Sequence, residues 1–344
     1  MNAAAGPHVT LNDVARLAEV SISTVSRALN GLPVSKKNLA KVQAAADQLG
    51  YVANEAARSL RSVRTLTAGL IFYELNTGLG LELLQALAAS VDDQGYSLLV
   101  STARGDEERY ELLMRRLLER RVDALFCVRP VGRGAVLDRY EKAGVPVVAL
   151  FSRDGGYSKL PLVAPTIVEA SRRAAERLVE LGHRRVGLIT PTRRVDYMRA
   201  FRSTALQAGL EIQDFAPLRE TFDALSLLDS LKSEPDFPTA IVARANDAII
   251  IINACYEQKV KVPQDLSIIA IGDVGANASI GPITLSTIHL NSGKVGRVAA
   301  ADMFARLAGE EVAHERYVEN GSWIERASTG VAAKRAPAPK RLAR

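Results

Sequence analysis

The first thirty residues contain two short helical segments that begin at hydrogen-bonding caps and are joined by a tight turn. Thr10 can cap a helix over 11–18, and Asp13, three residues on, completes a reciprocal capping box. Ser21 can cap a second helix over 22–29. Two helices separated by three to four residues, the second rich in Ser, Thr and Arg, are typical of the helix-turn-helix, whose second helix enters the DNA major groove.

A third helix follows and completes a small bundle. It is predicted to begin at Ser35 and end at Gly50, with Leu39, Val42 and Leu49 on one face. The alternative is an ordinary three-helix bundle whose polar residues are only solvated. The distribution of charge favours the DNA-binding interpretation. Residues 1–64 hold eight basic and four acidic residues, and the last fourteen residues hold five basic and no acidic ones. A basic N-terminal segment, followed by a slightly acidic remainder of the chain, indicates contact with phosphate.

From residue 66 onward, apolar strands alternate with helices in two successive rounds. Strands of continuous Val, Ile and Leu indicate parallel sheets that are covered on both faces. The predicted strands are Thr67–Tyr73, Tyr96–Ser101, Asp123–Val128, Val145–Phe151, Arg185–Thr190, Leu218–Thr221, Ala240–Ala243, Leu266–Ile271, Thr284–Ile288 and Ser322–Arg326. The fold class is therefore α/β: a helical headpiece followed by two similar lobes. The crevice between them, outside the carboxyl ends of the strands, is the expected small-molecule site.

Several classes of protein are disfavoured. Cys127 and Cys255 both lie in apolar runs and are expected to be buried thiols, neither a disulfide framework nor a metal site. The N-terminus lacks a signal-peptide pattern, and no apolar run approaches the roughly 18 residues that a membrane span needs. We expect a cytoplasmic protein with no membrane partner, no metal and no cofactor.

The chain resembles the LacI/GalR family of bacterial transcription regulators over nearly its whole length. The residues that carry the resemblance are Thr10–Ala18, Val20–Gly31, Leu49–Tyr51, Ala57–Leu60, Leu181–His183, Ala245–Asp247, Val262–Ser267 and Glu325–Thr329. The resemblance implies a homodimeric repressor with a headpiece that binds double-stranded operator DNA and a periplasmic-binding-protein-like core that senses a small metabolite.

Four segments are expected from this organisation. They are a helix-turn-helix headpiece over 8–52, a hinge helix or linker over 53–65, an effector-binding core over 66–330 and a disordered basic tail over 331–344. Within the core, one lobe should take about 66–160 and 289–318, and the other about 161–284 and 319–330.

The second helix of the headpiece carries the predicted base contacts. Ile22 and Ser23 open it and would meet base edges, although Ile22 could instead belong to the core. Arg27, one turn on, can reach guanine or phosphate, or can simply be solvated. Phosphate contacts are expected from Thr10, Ser21, Thr24 and Asn30, of which the first two could act only as caps.

The resemblance adds further DNA contacts and a wedge. It implies contacts from Leu11, Ser26, Tyr51, Asn54 and Ala57. Leu60, an apolar residue on a short basic segment, would insert into the minor groove and bend the duplex; packing into the core is its alternative role.

Effector contacts are expected where strands of the core end, from Tyr73, Arg129, Arg153, Tyr197, Arg244, Asn246 and Asp273. Tyr197 stands where the family commonly has Arg, and Gly272 stands where it usually has the first of two Asp. Both missing residues are frequent sugar contacts in the family. Several guanidiniums that converge on a cleft favour a carboxylate or phosphate, so we expect an anionic or acid-sugar-like effector, although these Arg could instead form internal ion pairs.

The leading interpretation is thus a sequence-specific DNA-binding repressor controlled by a small metabolite, a sugar or an acid-sugar-like molecule. The main alternative is an α/β enzyme that acts on a small metabolite and carries an accessory helical domain. It would need a nucleophile–base pair or a metal cluster, and the sequence offers neither. A transport binding protein would not need the headpiece.

Overall fold

The computed structural model describes residues 9–29, 32–51, 64–75, 78–189, 196–216, 221–234, 236–272, 279–280, 283–319 and 321–334. The chain divides into two units, residues 1–65 and residues 66–344. Residues 53–63 of the predicted hinge (53–65) and residues 335–344 of the predicted basic tail (331–344) lie outside the described residues.

The first unit contains three helices: α1 (Leu11–Ala18), α2 (Ile22–Leu29) and α3 (Lys36–Leu49). Their bounds match the prediction because local signals set them, such as the Ser35 side chain at the start of α3 and left-handed Gly50 at its end. Small apolar side chains form the centre of this unit: Val14, Ala15, Ala18, Val25, Ala28, Val42, Ala45 and Ala46.

The second unit alternates strands and helices throughout. Its elements are β1 (Thr67–Phe72), α4 (Gly78–Asp92), β2 (Ser97–Thr102), α5 (Glu107–Glu119), β3 (Ala124–Val128), α6 (Leu137–Lys142), β4 (Val147–Leu150), β5 (Leu162–Thr166), α7 (Val168–Glu180), β6 (Arg185–Ile189), α8 (Asp196–Gln207), β7 (Glu211–Phe215), α9 (Thr221–Ser233), β8 (Ala240–Arg244), α10 (Ala245–Glu257), β9 (Ser267–Ile271), β10 (Ser279–Ile280), β11 (Ile283–Thr284), β12 (Ser286–His289), α11 (Ser292–Leu307), β13 (Glu315–Glu319) and β14 (Ser322–Ile324).

Two six-stranded sheets define two lobes. The first sheet has the strand order β13-β5-β4-β3-β1-β2 and is parallel throughout. The second has the order β14-β12-β9-β8-β6-β7 and is parallel except for edge strand β14, which runs antiparallel to β12. The buried strands β3, β4 and β9 are covered on both faces, as the sequence predicts.

The chain passes between the lobes three times among the described elements. It leaves the first sheet after β5 for α7, which packs on α8, β12 and β14. It returns after β12 to α11, which packs on α4, β4, β5 and β13. It leaves again between β13 and β14. Neither lobe is therefore a continuous stretch of chain.

Three predicted boundaries differ from the structure. β5 belongs to the first sheet, so the predicted change of lobe at residue 161 comes one strand too early. The strand predicted near Leu218–Thr221 is wrong at its end, because Thr221 begins α9, while residues 217–220 lie outside the described part. The sequence predicts that the helix after β8 begins at Asp247, with Asn246 as a possible N-cap, but α10 begins at Ala245 with Arg244 at its N-cap.

Candidate functional site

The first turn of α1 is held by a reciprocal cap. The N–H and the hydroxyl of Thr10 donate to Oδ2 of Asp13, at 3.0 and 2.7 Å. Arg16 pairs with the other oxygen of the same carboxylate. The hydrogen bond from the Thr10 hydroxyl is the largest cause that lowers the pKa of Asp13. Thr10 thus acts as the cap that the sequence predicts.

A hydroxyl network surrounds the N-terminus of α2. Oγ of Ser21 accepts the Thr24 N–H at 3.2 Å and lies 2.8 Å from each of the Ser23 and Thr24 hydroxyls. The first N–H groups of a helix lack partners within the helix and favour negative charge. Three of the predicted DNA contacts are therefore grouped where a phosphate is bound most readily.

Beside this network α2 exposes a large apolar side chain. Ile22 is 51% exposed, whereas Val25 and Ala28, further along the helix, are buried. The alternative that Ile22 belongs to the core is therefore wrong. Ser23 is exposed next to it, so the start of α2 presents an apolar and a hydroxyl side chain together.

Arg27 is not simply solvated. Its Nε and Nη2 donate to the carbonyl of Pro33, at 3.3 and 3.1 Å, and so attach the chain that follows α2 back to the helix. Leu11 and Tyr51 pack, partly buried, on the apolar centre of the unit, and Ser26 is half-buried. The predicted contacts Asn30, Asn54, Ala57 and Leu60 lie outside the described residues.

The second unit has a cavity between the carboxyl ends of its two sheets. The first lobe contributes Glu74, Val128, Arg129 and Phe151, and the second contributes Tyr197, Arg244, Ala245, Asn246, Ile271 and Gly272. Four predicted effector residues thus meet in one place: Arg129, Tyr197, Arg244 and Asn246. Parallel strands bring them together because their carboxyl ends share one edge.

Arg244 is held by the carboxylate of Asp247. Its Nε lies 2.9 Å from Oδ2 and its Nη2 lies 3.3 Å from Oδ1. Burial opposes the charge of both groups. Burial is the largest single effect on the pKa of Arg244, but this pKa is nevertheless raised, because the hydrogen bond and the charge of Asp247, with smaller effects of Tyr197 and Glu74, together outweigh it. Burial raises the pKa of Asp247 against the opposing effect of Arg244. Nη1 of Arg244 makes no hydrogen bond to any residue that the structure describes.

Arg129 follows β3 and faces the same cavity from the other lobe. Its backbone is left-handed, with φ 52°, and its N–H donates to the carbonyl of Leu150 at 3.0 Å. Phe151, at the end of the neighbouring strand, is also left-handed, with φ 69°. Such backbone is uncommon for side chains of this size and is often found at functional sites. Within the described part of the chain, the Arg129 guanidinium has no hydrogen-bond partner.

Two predicted effector residues lie elsewhere. Arg153 pairs with Glu315 and donates to the carbonyl of Leu160, at the edge of the first sheet and away from the cavity lining. The prediction that Arg153 faces the cleft is therefore wrong. Its alternative role, in an internal ion pair, is what the structure shows. The Tyr73 hydroxyl donates to the carbonyl of Gly105 and does not line the cavity. Asp273 lies outside the described residues.

Six of the ten residues that line the cavity were not among the predicted effector contacts: Glu74, Val128, Phe151, Ala245, Ile271 and Gly272. Glu74 is the second residue after β1, and Phe151 comes directly after β4. Both positions follow from the strand-end rule that identified Arg129 and Arg244. Glu74 matters most, since it places a carboxylate in the same cavity as Arg129 and Arg244, whereas Asp273 was the only acidic residue among the predicted contacts.

The described part of the chain also contains side chains that could take part in other chemistry. Both cysteines are buried and unpaired, as predicted, and burial raises the pKa of each thiol to about 12. Within the described ranges there is no group of three metal-binding side chains. Among the helices that the structure describes, none is both long and apolar enough to cross a membrane.

Comparison with known proteins agrees with this architecture. Residues 10–54 match the model of bacterial regulatory proteins, lacI family, and residues 175–329 match a periplasmic binding protein-like domain. The ribose operon repressor of Escherichia coli (strain K12) is 29% identical, over 93% of this chain and 99% of that protein. The HTH-type transcriptional regulator GntR of Pseudomonas aeruginosa is 30% identical, over 88% and 90%.

A solved structure shows the same fold. The lac repressor dimer bound to operator and the anti-inducer ONPF superposes with a TM-score of 0.80 at 23% identity, over 94% of this chain and all of that one. The fold and the two sites define a DNA-binding transcription regulator with a helix-turn-helix unit and a periplasmic-binding-protein-like core. The chain belongs to the LacI family of bacterial regulatory proteins. The predicted family, fold class and regulatory function are confirmed.

Proposed function

We propose that the protein is a homodimeric transcriptional repressor that binds its operator through α2 and is controlled by an acidic, sugar-like metabolite bound between the two lobes. The observation that carries this proposal is the pair of guanidiniums, Arg129 and Arg244, on opposite walls of one cavity. A carboxylate between them would contact both lobes at once and favour their closed arrangement.

The DNA side of the proposal rests on the N-terminus of α2. The hydroxyl network around Ser21 and the exposed Ile22 side chain suit contacts with phosphate and with the apolar base edges of the major groove. The named repressors among the relatives, and the lac repressor dimer on its operator, support repression and dimerisation. The proposed role is regulatory and not catalytic, and a repressor of this kind acts in the bacterial cytoplasm, where its operator DNA is.

The hinge is proposed from the sequence alone. Leu60 would enter the minor groove between the two half-sites and unstack one base step, since an apolar wedge bends the duplex toward the major groove. Changing Leu60 to Ala should leave the headpiece folded and reduce the bend of bound DNA in a circular-permutation gel assay. DNA that is equally bent by both proteins would overturn this role.

The experiment that tests the proposal combines DNA and effector. Fluorescence anisotropy should show tighter binding to the DNA beside the protein's own gene than to a scrambled fragment of equal length, with strong salt dependence. A panel of sugar acids and the matching neutral sugars is then added. At least one acid should change operator affinity, and Arg129→Gln should reduce that response about tenfold or more while leaving DNA binding without effector unchanged.

Two results would overturn different parts of the proposal. Equal affinity for specific and scrambled DNA would contradict the regulatory role. A tight response to neutral sugars, with none to acids, would contradict the acidic effector.

A further inference from the structure

Glu74 places a negative charge in the cavity that holds both guanidiniums. It belongs to the first lobe and follows β1, and its carboxylate lies against the backbone of Gly105. A Cβ at Gly105 would be 2.9 Å from Oε1 of Glu74, and Gly105 has a left-handed φ of 80°. The absence of a side chain at Gly105 therefore allows the carboxylate to rest on this backbone.

The charge of Glu74 acts across the cavity on the other lobe. It contributes to raising the pKa of Arg244, after the larger effects of burial and Asp247, and it also contributes to raising the pKa of Asp247. Both of those residues lie on α10 or its N-cap. Glu74 is therefore close enough to influence any ionised group that a ligand brings against Arg244.

The charges of the cavity leave one position for an anion. Arg244 is already paired with the buried Asp247 through Nε and Nη2. Arg129 has no such pairing among the described residues, so it can accept one negative charge from a ligand. A second negative charge would find no unpaired cation on the described walls and would face Glu74. Like charges at short range in a partly buried site disfavour each other strongly.

The same carboxylate favours hydroxyl groups. A carboxylate only accepts hydrogen bonds, so it selects donors, and sugar hydroxyls are donors. Asn246, on the opposite lobe, can both donate and accept. Phe151 and Tyr197 add apolar ring surface to the walls. The cavity thus combines one cationic end with a hydroxyl-accepting wall.

We propose that Glu74 is a specificity-determining residue that limits the effector to one negative charge: a polyhydroxy acid with a single carboxylate is accepted, and its diacid and phosphate-ester forms are rejected. This inference rests on the proposed function, because it refines the class of effector bound between the lobes.

The test uses the full-length protein and matched sets of probes. Each set contains a five- or six-carbon sugar monoacid, the diacid of the same sugar, its phosphate ester and the neutral sugar; D-glucuronate, D-glucarate, D-glucose 6-phosphate and D-glucose form one such set. Calorimetry should give a dissociation constant for at least one monoacid, with its diacid and phosphate ester at least tenfold weaker. In Glu74→Gln this difference should shrink at least tenfold.

Two further variants complete the design. Glu74→Ala should relax the selectivity in the same direction, which protects the test against a folding defect of one variant. Glu119→Gln removes an exposed carboxylate at the end of α5, away from the cavity, and should keep wild-type selectivity. Thermal unfolding of each variant shows that it is folded.

Each outcome decides between the two proposals. If acids bind but the diacid and phosphate ester bind as well as the monoacid, or if both Glu74 variants keep the wild-type preference, this inference is wrong and the acidic effector stands. If only neutral sugars bind, or no probe in the panel binds, the acidic effector is wrong and this inference fails with it.

Discussion

Arg244 and Asp247 form a two-point ion pair at the start of α10, in which the Asp247 side chain is only 2% exposed. The pair spans the N-cap and the third residue of the helix. The carboxylate therefore also lies near the positive end of the helix dipole. This contact holds the Arg244 guanidinium in place through Nε and Nη2, and its remaining N–H donors are available to a ligand in the cavity.

Removing Asp247 should cost more stability than removing the whole pair. Asp247→Ala leaves a guanidinium that is mostly buried without its partner, and we expect a loss of about 3 kcal/mol in the free energy of unfolding. The double variant with Arg244→Ala should recover part of that loss, since no unpaired charge remains. Urea denaturation of the core measures both. A single variant as stable as the wild type would contradict the structural importance of the pair.

Arg27 should contribute to operator choice. Arg27→Ala is expected to lose roughly 1–3 kcal/mol of operator binding and to change base preference, as measured by anisotropy on single-base operator variants. Because Arg27 also donates to the Pro33 carbonyl, the thermal stability of the headpiece needs to be measured in parallel. That exposed bond should be worth no more than about 1 kcal/mol. Unchanged affinity for every operator variant would refute the contact.

Gly156 should tolerate no side chain. A Cβ there would overlap the carbonyl oxygen of Arg133 and lie 2.6 Å from the nitrogen of Gly134, both backbone atoms that cannot rotate away. Gly156→Ala should therefore destabilise the core by more than about 2 kcal/mol in urea denaturation. Gly144→Ala is the matched control, since it meets no atom within 4 Å and has only a left-handed φ of 68°; it should cost about 1 kcal/mol. Equal losses of unfolding free energy in the two variants would show that the loop with Gly156 can move away from the loop with Arg133 and Gly134 at little cost.

His183 should make the core less stable in acid. Its Nε2 donates to the carbonyl of Gly330 and its Nδ1 accepts from the Thr239 hydroxyl, at 3.0 and 2.8 Å. Burial lowers its pKa below the ordinary 6.5, although the Gly330 bond opposes this. Below about pH 6.5 the unfolded chain therefore binds more protons than the folded one, so stability is lost as pH falls and is fully present above it.

The measurement is the thermal midpoint at pH 7.5 and 5.5. His183→Gln should be less stable at pH 7.5 and should lose less on acidification than the wild type. His314→Gln, at an exposed histidine, should follow the wild type. A wild type and a His183 variant with the same pH dependence would contradict the assignment.

Local signals explain which parts of the fold could be predicted. The headpiece helices were predicted to the residue because Thr10, Ser21 and Ser35 fix their starts within one turn. The strands that were missed are polar or interrupted. β7 and β13 are edge strands that contain charged residues, and β5 contains Pro165. A search for continuous apolar runs finds central strands, which are buried on both faces, and overlooks edges that face water.

The residues that line the cavity could be predicted from the sequence only where the end of a single strand decides their position. Arg129, Arg244 and Asn246 follow that rule and were found. Arg153 also follows a strand, yet it turns away to Glu315, a residue 162 positions further along the chain. No local pattern in the sequence shows which partner a long cationic side chain will meet. That choice depends on the return of β13 to the first sheet.

The repeated passage of the chain between the sheets has a genetic consequence. A chain that stops after β12 would lose α11 and β13 from the first lobe and β14 from the second, so one premature stop codon would damage both halves together. Deleting either half as a contiguous gene segment would likewise take material from its neighbour. Truncation alleles of this gene should therefore give proteins that fail to fold in both halves, and an evolutionary exchange of sensing modules would have to transfer residues 66–330 as a whole.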